Sequence, residues 1–505
     1  MTLRTLAGPS ALVLLMSSTA LMADVTPEQV WQSWQDGITS MGNKVAAESA
    51  TRNGDVLEVI NITVGDEAKG TMMLDRLDFQ DLGDGTVAVL LNDSFPVTFN
   101  KPADPANPAA KPSEVVFTFA APKAEITASG TPGAINYKAD APSLKVVLDT
   151  LDGAPAADKN AAFALDLEGL ASTYSLTAGD VAVLSEDVAA KSISLIAKGK
   201  NEADGTTGDV KVSLADLTTK WEIKAPKDFD KADLTTAMAK GFSVSGSFGF
   251  GATSFDINST DAAGTPTQVI GGLASGAQGL TLDGSKFDYS NDSKGAAFKV
   301  VSPTVPLPDA SFTYGEAGVH LVMPVAKSDT PADFAFSVNL VDLAPSEAIW
   351  GMADSTNMLK HDPATLIIDT KGKATMTRDI FADAAAIEGG NKDAPGLLNA
   401  LDLTKLNFKA LGAEIISSGA FTFDNSDMTT YSGVPAPTGK LDVKATGVNA
   451  VIDTLVKMGI VPQDQAMQYR MMLSMFANTS TTADEMTSSL EFKDKHFFAN
   501  GQQLQ

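Results

Sequence analysis

From about residue 44 onward, apolar and polar residues alternate one by one, a pattern that an α-helical chain does not carry. Val115, Phe117 and Phe119 alternate with Val116 and Thr118, and Phe163, Leu165 and Leu167 with Ala164, Asp166 and Glu168. Val210, Val212 and Leu214 alternate with Lys211 and Ser213, and Leu441, Val443 and Ala445 with Asp442, Lys444 and Thr446. Successive side chains of a strand point to opposite faces, so each run has one apolar side and one wet side. Between runs stand Asn53-Gly54, Gly83-Asp84-Gly85, Asp204-Gly205, Asp283-Gly284 and Asn500-Gly501, whose residues tolerate the positive φ of tight hairpins. The fold class that follows is mainly β, an extended antiparallel meander or curved sheet. With few helices to cover it, its apolar side must meet another sheet or an internal ligand.

Two segments depart from this period. Thr26 can cap a helix that has Pro27 in its first turn, Glu28 beside it and Gly42 as its stop. Val30, Trp31, Trp34, Ile38 and Met41 then share one face, which suits packing onto the sheet better than contact with a membrane, since the segment carries Glu28 and Asp36 but no Lys or Arg. Near the other end, the strand through Leu441–Ala445 leads to Asn449 as a cap and to a helix with Val451, Ile452, Leu455 and Val456, closed by Gly459. Pro462 opens a second helix, and strands over 486–492 and 496–499 follow. Three interruptions mark candidate boundaries: a proline-rich loop over 101–112, a short helix over 230–240 ending at Gly241, and the glycine-rich stretch 262–279. The expected organisation is a signal peptide over 1–23, a helix over 24–43, a β-rich lobe over 44–240 and a second over 241–505, the two lobes forming either separate units or one continuous body.

Composition narrows the setting. Arg4, the apolar run Ala11–Met16 and the small-residue exit Ser18 to Ala23 have the form of a secretory leader, cut before Asp24, with an exit after Ala20 fitting the small-residue preference as well. The expected location is therefore the periplasm, or the medium. Losing Arg4 with the leader takes the formal charge from −25 to −26, which disfavours nucleic acid and anionic lipid surfaces. There is no cysteine, so thiol catalysis, thiolate metal sites and disulfides are excluded. No later segment approaches eighteen consecutive apolar residues, which excludes a transmembrane helix in the mature chain.

Ser346-Glu347-Ala348-Ile349-Trp350 with His361-Asp362-Pro363-Ala364-Thr365-Leu366 resembles the central signature of bacterial envelope proteins grouped as domain of unknown function 2125. Gly412-Ala413-Glu414, Ser418-Gly419, Pro437-Thr438-Gly439, Gly459 to Pro462, Asp464-Gln465-Ala466 and Asn500-Gly501-Gln502 resemble the same group. The resemblance covers mainly the second half of the chain. It implies export and a β-rich fold, and brings no catalytic residues.

Familiar chemistry is missing from the pattern. No G-x-S-x-G occurs, and Gly249-Phe250-Gly251 lacks the third glycine and the helix of a dinucleotide loop. His320, His361 and His496 show none of the spacing of acid–base or zinc sites. Asp424, Ser426 and Asp427, or Asp256, Asn258 and Asp261, gather oxygens in loops but do not match a calcium loop, and read as solvated turn acids. Met467, Met471, Met472 and Met475 form a thioether stripe that reads first as core filling and second as a ligand-binding face. The leading expectation is a non-enzymatic envelope protein, without cofactor or metal, holding lipid or another apolar ligand in a β groove. A structural or protein-interaction module, with or without calcium, and a hydrolase with an unfamiliar site are the alternatives.

Overall fold

The computed structural model describes residues 24–40, 43–66, 70–103, 112–177, 179–201, 204–227, 229, 233–381, 395–480 and 483–504. The leader and the centre of the proline-rich loop lie outside the described residues. The chain is mainly β, as the alternation predicts: among the described residues 27 strands join in one antiparallel sheet. It carries helices α1 (Pro27–Ser40), α2 (Leu234–Ala239), α3 (Glu347–Ala353), α4 (Val448–Lys457) and α5 (Gln463–Phe476). The sheet runs unbroken past residue 240, and 262–279 holds the strands Pro266–Leu273 and Ser275–Leu282 in place of a loop.

The long strands are creased. Asn61, Gly169, Asp216, Gly295 and Asp342 sit inside strands with φ between 51° and 61°, the left-handed region that an extended run does not visit. At each of these the apolar set changes parity. Val210, Val212 and Leu214 precede Asp216, whereas Leu217, Trp221 and Ile223 follow it; Phe287 and Tyr289 precede Gly295, whereas Ala296, Phe298 and Val300 follow it. Hydrogen-bond register is kept across the crease, with Ala190 opposite Leu217 and Ser192 opposite Ala215, so neighbouring strands bend together. Shorter strands stop at the same line: Val87–Leu90 and Ser94–Lys101 both pair with Gly70–Asp81, one on each side, and Ser243–Phe250 and Thr253–Thr260 divide the strand Thr207–Pro226 in the same way.

Crease and parity change together keep the apolar side chains on one physical side. Val59 and Leu77, from one arm of the fold, share a core with Ile62, Val64 and Leu74 from the other. Further along, Ser293 Oγ lies 3.0 Å from the Tyr314 hydroxyl although the two belong to opposite arms. The residues buried at the bend are small, with Ala190 and Ala296 each 3% exposed, because the two arms approach there.

Helix α1 closes one end. A reciprocal cap starts it: the Thr26 N–H donates to Gln29 Oε1 at 3.0 Å, and the Gln29 N–H to Thr26 Oγ1 at 3.4 Å. Val30 and Trp31 are then buried against Leu57, Val59, Phe79 and Ile135, with Trp34 edge-on to Phe79 at 5.5 Å. The predicted packing of this face on the sheet is seen for Val30, Trp31 and Trp34, whereas Met41 and the expected stop Gly42 lie outside the described residues. At the other end, α4 begins after Gly447 (φ 76°), not at Asn449. Asp484 takes the capping role, accepting the N–H groups of Asn449 and Ala450 at 3.2 and 2.9 Å. Among the described residues no helix is long and apolar enough to cross a membrane.

Candidate functional site

The two arms define a trough. One row across the first arm reads Phe95, Phe119, Val146, Leu165, Leu195, Val212, Phe255, Gly271, Phe298 and Phe312, each directly opposite the next. A row across the second arm reads Tyr137, Tyr174, Glu186, Trp221, Gly246, Leu280, Tyr289, Leu321 and Phe336. Among the described residues fourteen strands form the first arm, from Val45–Asn53 to the end of Ala332–Pro345 beyond Asp342; at about 4.8 Å per spacing the trough is roughly 62 Å long. The second arm continues beyond it, to the end of the chain.

The interior is lined but unfilled. Between residues 160 and 430 the buried apolar residues among those described are Ala190, Pro226, Ala237, Phe242, Ala296, Pro324, Val325 and Met376, whereas twelve cluster around α1. Large inward side chains along the trough stay accessible: Phe99 is 37% exposed, Ile257 37%, Phe312 39% and Phe336 41%. Gly271, Leu273, Phe298 and Phe312 line a cavity of about 550 Å³ in the first arm. Glycines make room for rings here: a Cβ on Gly246 would lie 2.2 Å from the Trp221 indole, and one on Gly271 2.5 Å from Phe255.

Glu186 is the charged exception in the row it occupies. Tyr174 and Trp221 are its cross-strand neighbours, and Tyr137 stands one strand further, 6.0 Å from Tyr174 between ring centroids. Burial raises the hydroxyl pKa of Tyr137 and of Tyr174, the latter helped by the Glu186 charge. Tyr137, Tyr174, Glu186 and Trp221 all line one cavity of about 360 Å³. Among the described residues no Lys, Arg or His bridges the Glu186 carboxylate.

The residues of the central signature converge on α3. The His361 ring stacks flat on Trp350, centroids 4.5 Å apart, with Nδ1 2.8 Å from Glu347 and Nε2 3.5 Å from Asp354. The Asp354 carboxylate is buried and accepts the Leu359 N–H at 2.6 Å and the Thr356 hydroxyl at 2.9 Å. Burial pushes its pKa up, but these donors, the Met358 N–H and His361 outweigh that and hold it at about 2. Ser346 donates its hydroxyl to the Asp309 carbonyl. The knot fixes α3 where the first arm ends.

Other singled-out residues disperse. His320 pairs with Asp288 at 3.0 Å on an exposed strand, and His496 Nδ1 meets Gln503 at 3.1 Å. Asp424 accepts from Ser426, and Asp427 from Thr429, Thr430 and Lys495, which drives its pKa down. Asp256 accepts from Asn258 and Gln268, and Asp261 from Ala263 and Thr265. Among the described residues no group of three or more acids and histidines is placed to hold a metal. Met467, Met471, Met472 and Met475 are between 54% and 64% exposed, so they do not fill a core. Ala466 is the buried residue of α5. The sequence reading missed Glu186 and its aromatic neighbours, because a Glu within an alternating strand looks like an ordinary outward position. Its even number, matching Leu184 and Val188 on the apolar parity of that arm, was the available signal.

Residues 262–498 match the family model described as an uncharacterized protein conserved in bacteria, domain of unknown function 2125. The resemblance seen in the second half is therefore real, and the match includes the α3 knot and the continuation of the second arm. No curated protein and no solved structure matches this chain.

Proposed function

We propose that the creased sheet is an open trough that holds the hydrocarbon of a lipid or similar amphiphile, in a protein exported from the cytoplasm. The observation that carries this reading is a long apolar lining, interrupted by Glu186, with large, accessible aromatic and aliphatic side chains and, among the described residues, no opposing layer. Exposed apolar surface of such extent is uncommon on a monomer with nothing to bind, because each buried Å² of it is worth about 25 cal/mol. Charge supports the division of labour: the chain carries −25 overall, yet the row of the first arm has no ionisable residue. Helix α1 stops one end, and the Met467–Met475 face of α5 is a secondary candidate for apolar contact.

The reading is tested by native mass spectrometry of gently purified protein together with uptake of a fluorescent apolar probe, N-phenyl-1-naphthylamine. Co-purifying lipid, probe uptake, and loss of both in Phe298→Asp are the expected results. Lipid-free protein that ignores the probe refutes the trough. Export is checked separately by the mass of the mature chain, which should begin at Asp24; an intact leader refutes it.

A further inference from the structure

Resting on that reading, we propose that the second arm holds a site for a cationic ammonium headgroup, built from Glu186, Tyr174, Trp221 and Tyr137, so that the trough prefers amphiphiles carrying an amine. Glu186 projects from the apolar side of its strand, in register between Tyr174 and Trp221. An unpaired carboxylate on an apolar surface is unfavourable unless a cation completes it, and no basic side chain among the described residues does so. Ring faces supply the rest. An ammonium is attracted to the faces of Trp and Tyr within about 6 Å of their centroids, and more strongly where water is displaced.

Local packing keeps these rings in place. Trp221 lies over Gly246, where a Cβ would come within 2.2 Å of the indole, so the glycine makes room for the ring against the neighbouring strand. Tyr137 is held from behind by Trp34 of α1, ring centroids 6.4 Å apart, which fixes the cage beside the closed end. The cavity of about 360 Å³ that these four residues line, together with Asp187 and with Lys138, whose ammonium is held by Asp140 at 2.8 Å, is larger than an ammonium group alone needs and leaves room for the start of a chain. The apolar row running on through Leu280, Tyr289 and Leu321 would receive that chain. A lipid amine headgroup and a soluble amine share this chemistry; the long apolar lining selects the amphiphile.

Isothermal titration below micelle concentration tests it with dodecyltrimethylammonium, dodecyl maltoside and free choline. The wild-type protein should bind the ammonium amphiphile about tenfold more tightly than the maltoside, with the preference shrinking as salt rises. Glu186→Gln should bring the two affinities together, chiefly by weakening the ammonium amphiphile, and Trp221→Leu should narrow the same ratio, as a second variant that keeps the carboxylate. Equal affinities in the wild-type protein, or an undiminished preference in Glu186→Gln, overturn the ammonium site while maltoside binding upholds the trough. Choline binding as tightly as the twelve-carbon ammonium overturns the amphiphile assignment. Failure of both amphiphiles to bind overturns the trough itself.

Discussion

Phe79 and Phe336 face the same side of the same sheet, one under α1 and one along the open trough, and the same truncation at each measures whether the interior is packed or hollow. Phe79 is 0% exposed, with Trp31 and Trp34 at 6.0 and 5.5 Å between ring centroids. Phe79→Ala removes a buried ring, leaves a cavity that rigid neighbours cannot close, and breaks two aromatic contacts, so its cost belongs at about 4–5 kcal/mol. Phe336 is 41% exposed. Losing a little over half of a full burial term of about 1.5–3 kcal/mol, with no cavity because the space already opens to solvent, gives about 1–2 kcal/mol for Phe336→Ala. Urea unfolding followed by far-ultraviolet circular dichroism, with comparable slopes in both variants, reads the difference directly. A Phe336→Ala cost of 3 kcal/mol or more means that something packs against this ring and the trough is filled. A Phe79→Ala cost below about 1.5 kcal/mol means that α1 does not close the end.

Three further outcomes follow from named contacts. Asp354 has its pKa lowered from 3.8 to about 2, so its contribution is complete above pH 4 and disappears as pH falls toward 2; Asp354→Asn should be destabilised at pH 7, and its gap to the wild-type protein should close over that interval in acid titrations. Gly295→Val places a β-branched residue at φ 61° with its Cβ 2.7 Å from the Ala274 Cβ, and should cost about 1–3 kcal/mol in urea unfolding and weaken probe uptake; an unchanged midpoint would show that the crease is not needed. Met471→Lys with Met475→Lys, at positions 64% and 62% exposed, should move the melting free energy by no more than about 0.5 kcal/mol and leave trough binding unchanged, whereas a large loss would place these methionines in a core.

Strand content, the meander and both helical ends were legible because period, turn residues and caps are local signals. What was hidden is non-local. A reader of the sequence sees Gly169 or Gly295 as an ordinary strand interruption, and only the matching parity change in adjacent strands reveals that all bend along one line. Asp216 and Asp342 were harder still, since an acid in a strand resembles a wet-face residue until its φ of 52° or 56° is known. The glycines over 262–279 suggested weak structure, yet Gly271 and Gly276 are strand positions vacated for the rings of Phe255, Phe298 and Phe250. Asn449 looked like a cap because the competing carboxylate, Asp484, lies 35 residues away. The methionine stripe of α5 has helical spacing, but spacing alone does not say which face meets the sheet.

A sheet with one unlayered side draws its stability from its ladders and from local cores, here the one beneath α1, more than from a central core. The lining of the trough then contributes little until something covers it. Whatever covers it stabilises the folded chain by an amount that grows with the logarithm of its concentration above Kd. Loading and stability are therefore one equilibrium in this architecture. The crease bears on both: it brings the arms toward each other, so that hydrocarbon between them contacts two walls instead of one. A flat sheet with the same residues would offer the same chemistry and roughly half the contact. On the proposed reading, that is a physical reason for the left-handed residues Gly169, Asp216 and Gly295 at one height of the sheet, where glycine adopts the conformation freely and Asp216 carries the strain.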